Sequence, residues 1–495
     1  MTTSIWKKVV VVVAGVEAFV LRESSSSGGG VTSRMSEDSW SAELRQASGG
    51  FETEEARAFM RRQAKGDASV RATNERLIEW LQSKGVWLSE LSGWNEPPHS
   101  LALATSTFDD VEGEDAGRGL LARRAVVQDM ELVRMPRYLC MTKDAALESP
   151  TLKGLVNVST NEYVAIALLL ISEAEKGILS SFWGPYIAVL PTTEEISPTF
   201  SWDESDLADL EGSPCLAATR SMRAKLRAEH AEFSHHCSFD QWEWAFSILF
   251  SRAIRLTGPT KEILALVPYV DFINHSPFSS SYVTLAEAPE PLFFWDDKPD
   301  DEIVVYADRS YRKFEQVFIS YGPKSNSDLL LLYGFALDRN PFNSVAVQFG
   351  AATDDPLYDE KLAFAISAGR SPNETFPIYA DRFADEMLQY LRMSCVTPSQ
   401  LKGRHVRDLD YSTIVSVDNE LAVLDTLAQA CEAAIERYPP PPPPVPNPRD
   451  RNIFLTRKQR MAQRLVASER RILQRTIDAA IRKSNELEAT RALAA

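Results

Sequence analysis

Two apolar runs in the second half of this chain end in polar side chains that a plain hydrophobic core does not tolerate. Asp271-Phe272-Ile273-Asn274-His275 closes the first run. Tyr321-Gly322-Pro323-Lys324-Ser325-Asn326 closes the second, and Tyr333-Gly334-Phe335 follows. An asparagine, a histidine and a phenol at the inner ends of buried strands each need a partner, because an unpaired buried polar group costs about 1–3 kcal/mol. Strand ends of this kind are where sites are built, so a pocket is expected between Asp271 and Gly334.

At 495 residues the chain is too long for one compact core, and two or three domains plus tails are expected. The net charge of -16 argues against nucleic acid as a partner, since phosphate binding needs a basic footprint. Five cysteines are scattered without a CxxC pair, which fits a reducing compartment and predicts no metal site. The apolar run Tyr163 to Ile171 covers less than half of the roughly 20 residues a membrane span requires. It reads as a buried helix with Ser159 as N-cap, Glu162 as capping-box partner and Gly177 near its stop.

The amino terminus has another character. Lys7-Lys8 precede the apolar stretch Val9 to Val16, with small residues flanking a cleavage point after Ala18. Ser24 to Ser27, Gly28 to Gly30 and Arg34 then form a hydroxylated stretch. Residues 1–35 are therefore read as a targeting presequence and 36–73 as disordered or loosely helical. Asn74 to Gly85, with Leu77, Trp80 and Leu81, suits an amphipathic entry helix. Short strands are expected at Leu121-Ala122, Ala125 to Val127 and Glu131 to Val133, helices from about 150 to 255, and strands again at Ile263 to Ile273, Ile303 to Tyr306 and Gln316 to Ile319. Ser325 should cap a short helix with Asp328 in its first turn and Gly334 as terminator. From about 340 the chain reads as mainly helical, with a stiff polyproline spacer at 439–448 and a basic final helix bearing Met461, Leu465, Ile472, Leu473, Ile477 and Ile481.

Further pieces stand in a fixed order around the strand-end pattern. Gly117-Arg118-Gly119-Leu120-Leu121 forms a glycine turn, Trp183-Gly184-Pro185-Tyr186 sits in the helical stretch, Trp244-Ala245-Phe246 leads to Ser251-Arg252-Ala253, and Arg457 to Thr476 lies near the end. Together they resemble the SET-domain protein methyltransferases, in the branch of the Rubisco large-subunit lysine methyltransferase and the actin-histidine methyltransferase. The resemblance implies an α+β chain: a SET-domain β-fold over 74–338 with a helical insertion at about 145–255, followed by an all-α C-terminal substrate-binding domain over 339–495.

What the resemblance implies for chemistry is methyl transfer from S-adenosyl-L-methionine to a lysine of a non-histone protein, with the Rubisco large subunit and fructose-bisphosphate aldolase as examples. Histidine methylation and a silent, partner-binding scaffold are the alternatives. Ala116, Gly117 and Arg118 carry over as cofactor contacts. So do Asn274 and His275, with Phe335 as a ring under the adenine or a plain core residue. Arg252 would hold the methionine carboxylate of the cofactor; a protein carboxylate is its alternative partner. Tyr321 is the catalytic residue, lying where the methyl crosses and touching the cofactor. Asp271 stands near the substrate amine or serves as a strand-end cap, and Tyr333 and Ile254 line the substrate channel. Ile254 stands where the histidine type has an asparagine, and Tyr333 also matches the lysine type. The expected molecule is a monomer without metal, membrane span or nucleic acid, acting on a protein. The presequence resembles the two-part plastid type of algae with secondary plastids, which implies the plastid stroma, with the cytoplasm as alternative.

Overall fold

The computed structural model describes residues 68–88, 99–108, 115–288, 300–371, 373–440 and 455–494. The presequence, most of the 36–73 segment and the spacer beyond Pro440 lie outside them. The described residues fall into two compact units, one drawn from 68–196 and 225–323, the other from 197–224 and 324–494.

The first unit opens with α1 (Ala68–Ser83), whose Leu77 and Leu81 are fully buried, as the amphipathic spacing predicts. The antiparallel pair β1 (Leu101–Phe108) and β2 (Asp115–Ala122) follows. Three-stranded antiparallel sheets are built from β3 (Glu131–Pro136), β9 (Glu302–Tyr306) and β8 (Tyr282–Ala286), and from β4 (Met141–Thr142), β6 (Glu262–Leu266) and β5 (Ile254–Thr257). Ala125 to Val127 is not a strand; Val126 alone bridges Tyr311.

Between β4 and β5 lie the helices of the insertion. In α2 (Glu162–Glu175) every residue from Val164 to Ile171 is buried, so its unbroken apolar run reflects packing on all sides. Its N-cap is Asn161, whose side chain accepts from the Tyr163 N–H, and not Ser159. Ser159 is instead drawn into a turn by Asn157 Oδ1. The short α3 (Gly184–Ile187) is anchored by the Trp183 indole, which donates to Leu139 O at 2.9 Å. Then α4 (Phe239–Arg252) starts with a capping box between Ser238 and Gln241 and buries Trp242, Ala245, Phe246 and Leu249.

The strand read as Ile263 to Ile273 stops at Leu266. Beyond it Val270 N–H donates to Pro268 O across Tyr269, which sits at φ 69°. That is a γ-turn of the rare, strained positive-φ kind, followed by the 3₁₀ turn Val270–Phe272. The two-residue strands β7 (Asn274–His275) and β10 (Phe318–Ile319) then pair in parallel. On its other side the segment before β10 meets β2, through the Leu121–Gln316 bridge and Val317 N–H to Leu120 O. Thus β2 and β7 flank one short central segment.

In the second unit α5 (Asn326–Tyr333) has the expected Ser325–Asp328 capping box and ends on Gly334 in the left-handed conformation. The unit is mostly helical, with α6 (Tyr358–Ser367), α7 (Asp385–Ser394), α8 (Val417–Glu436) and α9 (Arg457–Ala494). It also holds a two-stranded antiparallel sheet that an all-α reading lacks, β11 (Ser344–Gly350) and β12 (Asn373–Tyr379). Val345, Val347 and Phe349 alternate into a core shared with Leu391, Val423, Leu427 and Leu473.

Candidate active site

The glycines at 117 and 119 lie inside β2 rather than in a turn between strands, and each does a different job. The register with β1 slips on both sides of Thr107, and Gly117 takes φ 70° opposite it. A Cβ on Gly119 would lie 2.7 Å from Asn274 Nδ2 and 2.6 Å from Gln316 Oε1, so only glycine lets β7 approach. The Asn274 amide fills that space. Its Nδ2 is within 2.9 Å of Thr107 Oγ1, 2.9 Å of Gln316 Oε1 and 3.0 Å of Arg118 O. Two hydrogens shared among three acceptors are committed to the protein, which leaves Oδ1 as the group Asn274 can offer a ligand.

Arg118 is also largely committed. Its guanidinium donates to Asn74 Oδ1 at 3.0 Å and to Val189 O at 3.1 Å. Burial, and then the neighbouring Arg252 cation, push its pKa below the usual arginine value. Ala116 is half-buried in the same strand.

The polar centre of the unit is formed by Arg252, Asp271 and Tyr186. Arg252 closes α4 and donates through Nη1 to Asp271 O at 3.0 Å, with Asp271 Oδ2 at 3.6 Å. Its guanidinium lies 5.2 Å from the Phe272 ring centroid. Tyr186, fully buried on α3, donates its hydroxyl to Asp271 Oδ2 at 2.7 Å. Arg252 thus has a protein carboxylate beside it, the alternative partner named for it, and the Asp271 side chain, with an exposure of 0%, is enclosed in this cluster. Desolvation raises the Asp271 pKa against the opposing pull of Arg252 and Tyr186, and raises that of Tyr186 well above the phenol range. Arg252 Nε and Asp271 Oδ1 are nevertheless buried without a hydrogen-bond partner. A buried guanidinium N–H without an acceptor is a costly arrangement unless something else supplies one.

Tyr321 and His275 form a second group. The Tyr321 N–H donates to His275 Nδ1 at 3.1 Å, so Nδ1 carries no proton and any ring hydrogen of a neutral His275 is on Nε2. The two rings stack at 4.9 Å. The Tyr321 hydroxyl donates to Ile273 O at 3.0 Å, which fixes its hydrogen and leaves the oxygen lone pairs to accept. Desolvation lifts its pKa to about 12, with Arg252 opposing and Asp271 adding to the rise, so the phenol is protonated at neutral pH. It can orient and accept; it is not a base.

Ile254 begins β5, two residues beyond Arg252, paired with Ala265 and half-buried. Tyr333 and Phe335 belong to the second unit, their rings in edge contact at 6.1 Å, with Lys324 Nζ 6.0 Å from the Tyr333 centroid. Tyr186 is the member of the cluster that sequence reasoning passed over as part of the insertion. The only signal was a tyrosine embedded in apolar neighbours, which needs a hydroxyl partner when buried.

Comparison with known proteins gives this arrangement its setting. Residues 117–322 match the SET domain family, and residues 352–473 match the Rubisco LSMT substrate-binding family. The chain carries a SET domain followed by a Rubisco LSMT substrate-binding domain. It is 28% identical over 382 residues to the chloroplastic ribulose-1,5 bisphosphate carboxylase/oxygenase large subunit N-methyltransferase of Pisum sativum, covering 73% of this chain and 72% of that protein. It is 26% identical over 408 residues to the actin-histidine N-methyltransferase of Canis lupus familiaris, covering 75% of this chain and 66% of that protein. The crystal structure of the SET domain of LSMT bound to lysine and AdoHcy superposes with a TM-score of 0.67 at 25% identity, over 85% of this chain and 93% of that one. The SET fold followed by a C-terminal substrate-binding domain accordingly stands as the sequence indicated, that domain being mostly helical rather than all-α.

Proposed function

We propose that this chain is an S-adenosylmethionine-dependent protein methyltransferase that modifies a lysine of a non-histone protein. The observation that carries the reading is the Tyr321 phenol, tethered through its own hydrogen to Ile273 O within electrostatic reach of Arg252 and Asp271. Support comes from the similar SET domain that binds lysine and AdoHcy and from the pea relative that methylates the Rubisco large subunit.

The residues present fit the cofactor. The Arg252 Nε–H lacks an acceptor, and a carboxylate supplies one; Arg118 adds positive potential from its side. A Cβ on Gly117 would meet nothing within 4 Å, so the backbone there is open to a ligand's approach. When bound, S-adenosylmethionine supplies an electrophilic methyl group on a sulfonium centre. The chain has to hold an uncharged amine in line with that methyl, and alignment of this kind is worth about 7–11 kcal/mol in favourable cases. Tyr321 oxygen accepts weak contacts from the polarised methyl and the amine, its hydrogen being held elsewhere. Desolvation of a lysine entering a narrow channel lowers its pKa, and water takes the proton.

Lysine is favoured over histidine by Ile254, which offers no side-chain hydrogen bond to an imidazole. Histidine is the second reading because actin-histidine methyltransferases are among the relatives. Plastid stroma is the proposed location, supported by the chloroplastic relatives and the amino-terminal pattern; the cytoplasm is its alternative.

The test is incubation of the full chain with tritiated S-adenosylmethionine and plastid extract, followed by acid hydrolysis. Label on methyl-lysine is expected; label on methyl-histidine selects the second reading, and no protein-bound label overturns both. Arg252→Ala should weaken cofactor affinity by a loss of about 1.5–3 kcal/mol, as for a charge-assisted hydrogen bond. Equal affinity by calorimetry removes Arg252 from the site.

A further inference from the structure

Away from the residues of the proposed methyl-transfer site, the second unit holds a surface cavity of about 600 Å³ between the end of β12 and the face of α9. Its floor holds Thr476, buried on α9, whose hydroxyl lies 3.0 Å from Ile472 O on its own helix and 3.3 Å from Tyr379 O, with Ile477 buried beside it. The walls are cationic. Arg475, Arg482 and Lys483 line it from α9, and all three are exposed, with no carboxylate partner among the described residues. Arg382 faces them from the loop, paired among the described residues with exposed Asp381 at 3.3 Å, an interaction worth about 0–1 kcal/mol that a better anion displaces.

Two rings add an apolar element. The Arg382 guanidinium lies 3.8 Å from the Tyr379 centroid and Lys483 Nζ lies 5.5 Å from that of Phe383. These contacts hold both cationic heads over the cavity. Four cations, two aromatic faces and a volume suited to a few side chains describe a site for a mixed ligand of carboxylates and apolar groups. A nucleic acid does not fit: Asp381 and Asp478 stand among the cations, and the chain as a whole carries a net charge of -16.

We propose that this cavity docks an acidic polypeptide segment with an apolar side chain, presented by a partner protein. The site acts by binding and takes no part in the transfer step, so it stands or falls separately from the function proposed above.

Fluorescence anisotropy tests it. A short fluorescein-labelled peptide of alternating glutamate and leucine is titrated with the full chain at low salt, and the same peptide with glutamine for glutamate serves as control. The acidic peptide should bind and the glutamine peptide should not. Lys483→Glu and Arg482→Glu should each weaken binding at least about tenfold, since like charges face each other across the contact. Arg407→Glu, an equal charge change at an exposed position elsewhere in the unit, should have little effect. Far-UV circular dichroism and the urea midpoint should be the same in all three variants, which shows that they are folded. Equal weakening by Arg407→Glu, equal binding of the glutamine peptide, or displacement by duplex DNA or inorganic phosphate at lower concentration than by unlabelled peptide overturns the proposal.

Discussion

Tyr321 has its hydroxyl hydrogen on Ile273 O and its main-chain N–H on His275, so the ring is held from both ends. Tyr321→Phe keeps the stacking on His275 and removes only the oxygen at the reacting position. Turnover should fall by orders of magnitude while cofactor affinity by calorimetry stays within a few-fold; unchanged turnover removes the phenol from the mechanism. Tyr186→Phe tests the other group. It strips the 2.7 Å donor from Asp271 Oδ2 and leaves a buried acceptor to Arg252 alone. The cost should be about 1–3 kcal/mol of stability, read as a lower urea midpoint. With Asp271 short of one donor, Arg252 is drawn toward it, and cofactor affinity should drop by about tenfold, or 1.4 kcal/mol. A variant with wild-type stability and affinity would show the Tyr186 hydroxyl to be dispensable. The polar residues at 252, 271, 274, 275 and 321 were legible because each interrupts an apolar run. Tyr186 was not, because its partner lies 85 positions away and nothing local announces the pairing.

At the scale of elements, what was legible followed from local chemistry. The cap of α5 and the buried run of α2 are written in consecutive residues, and they formed where read, apart from the shift of one cap from Ser159 to Asn161. The sheet β11–β12 escaped although Ser344–Gly350 alternates in burial with period two. Its partner strand carries Pro377, which argues against a strand in isolation, and the connection of 351–372 hides the pairing. The γ-turn at Tyr269 was equally invisible, since a bulky residue at positive φ is held there by tertiary contacts and not by propensity. Gly119 is where sequence and site meet most directly. Gly119→Ala puts a methyl 2.7 Å from Asn274 Nδ2 and 2.7 Å from Thr107 Cγ2, so β2 and β7 must part. Overpacking of this kind costs about 1–3 kcal/mol, and the urea midpoint and cofactor affinity should fall together. A variant as stable as the wild type would mean that β7 has room to yield.

Over the whole molecule, the balance of buried carboxyls sets how stability responds to pH. Burial lifts Glu469 to about 7, where it accepts the Tyr438 hydroxyl at 3.1 Å, and Glu229, on the helix Pro214–Phe233, to about 8. Asp271 is shifted in the same direction. A carboxyl whose folded pKa is raised binds more protons folded than unfolded. Its stabilising effect is complete below the unfolded value and is lost as pH rises through the folded one. The opposite class, represented by the lowered Asp308 and Asp301, contributes above the ordinary carboxylate range and fails only in acid. Between about pH 5 and pH 9 the raised group therefore dominates the slope, and growing negative self-repulsion in a chain of net charge -16 acts in the same sense. The urea midpoint should decline across that window. Glu469→Gln keeps an acceptor for Tyr438 but cannot ionise, so it should match wild type at the acid end and exceed it at the alkaline end. Glu229→Gln should part from wild type over the same acid range but keep gaining to higher pH, because its folded pKa is the higher of the two. Parallel curves for wild type and both variants would mean that neither carboxyl is held neutral by the fold.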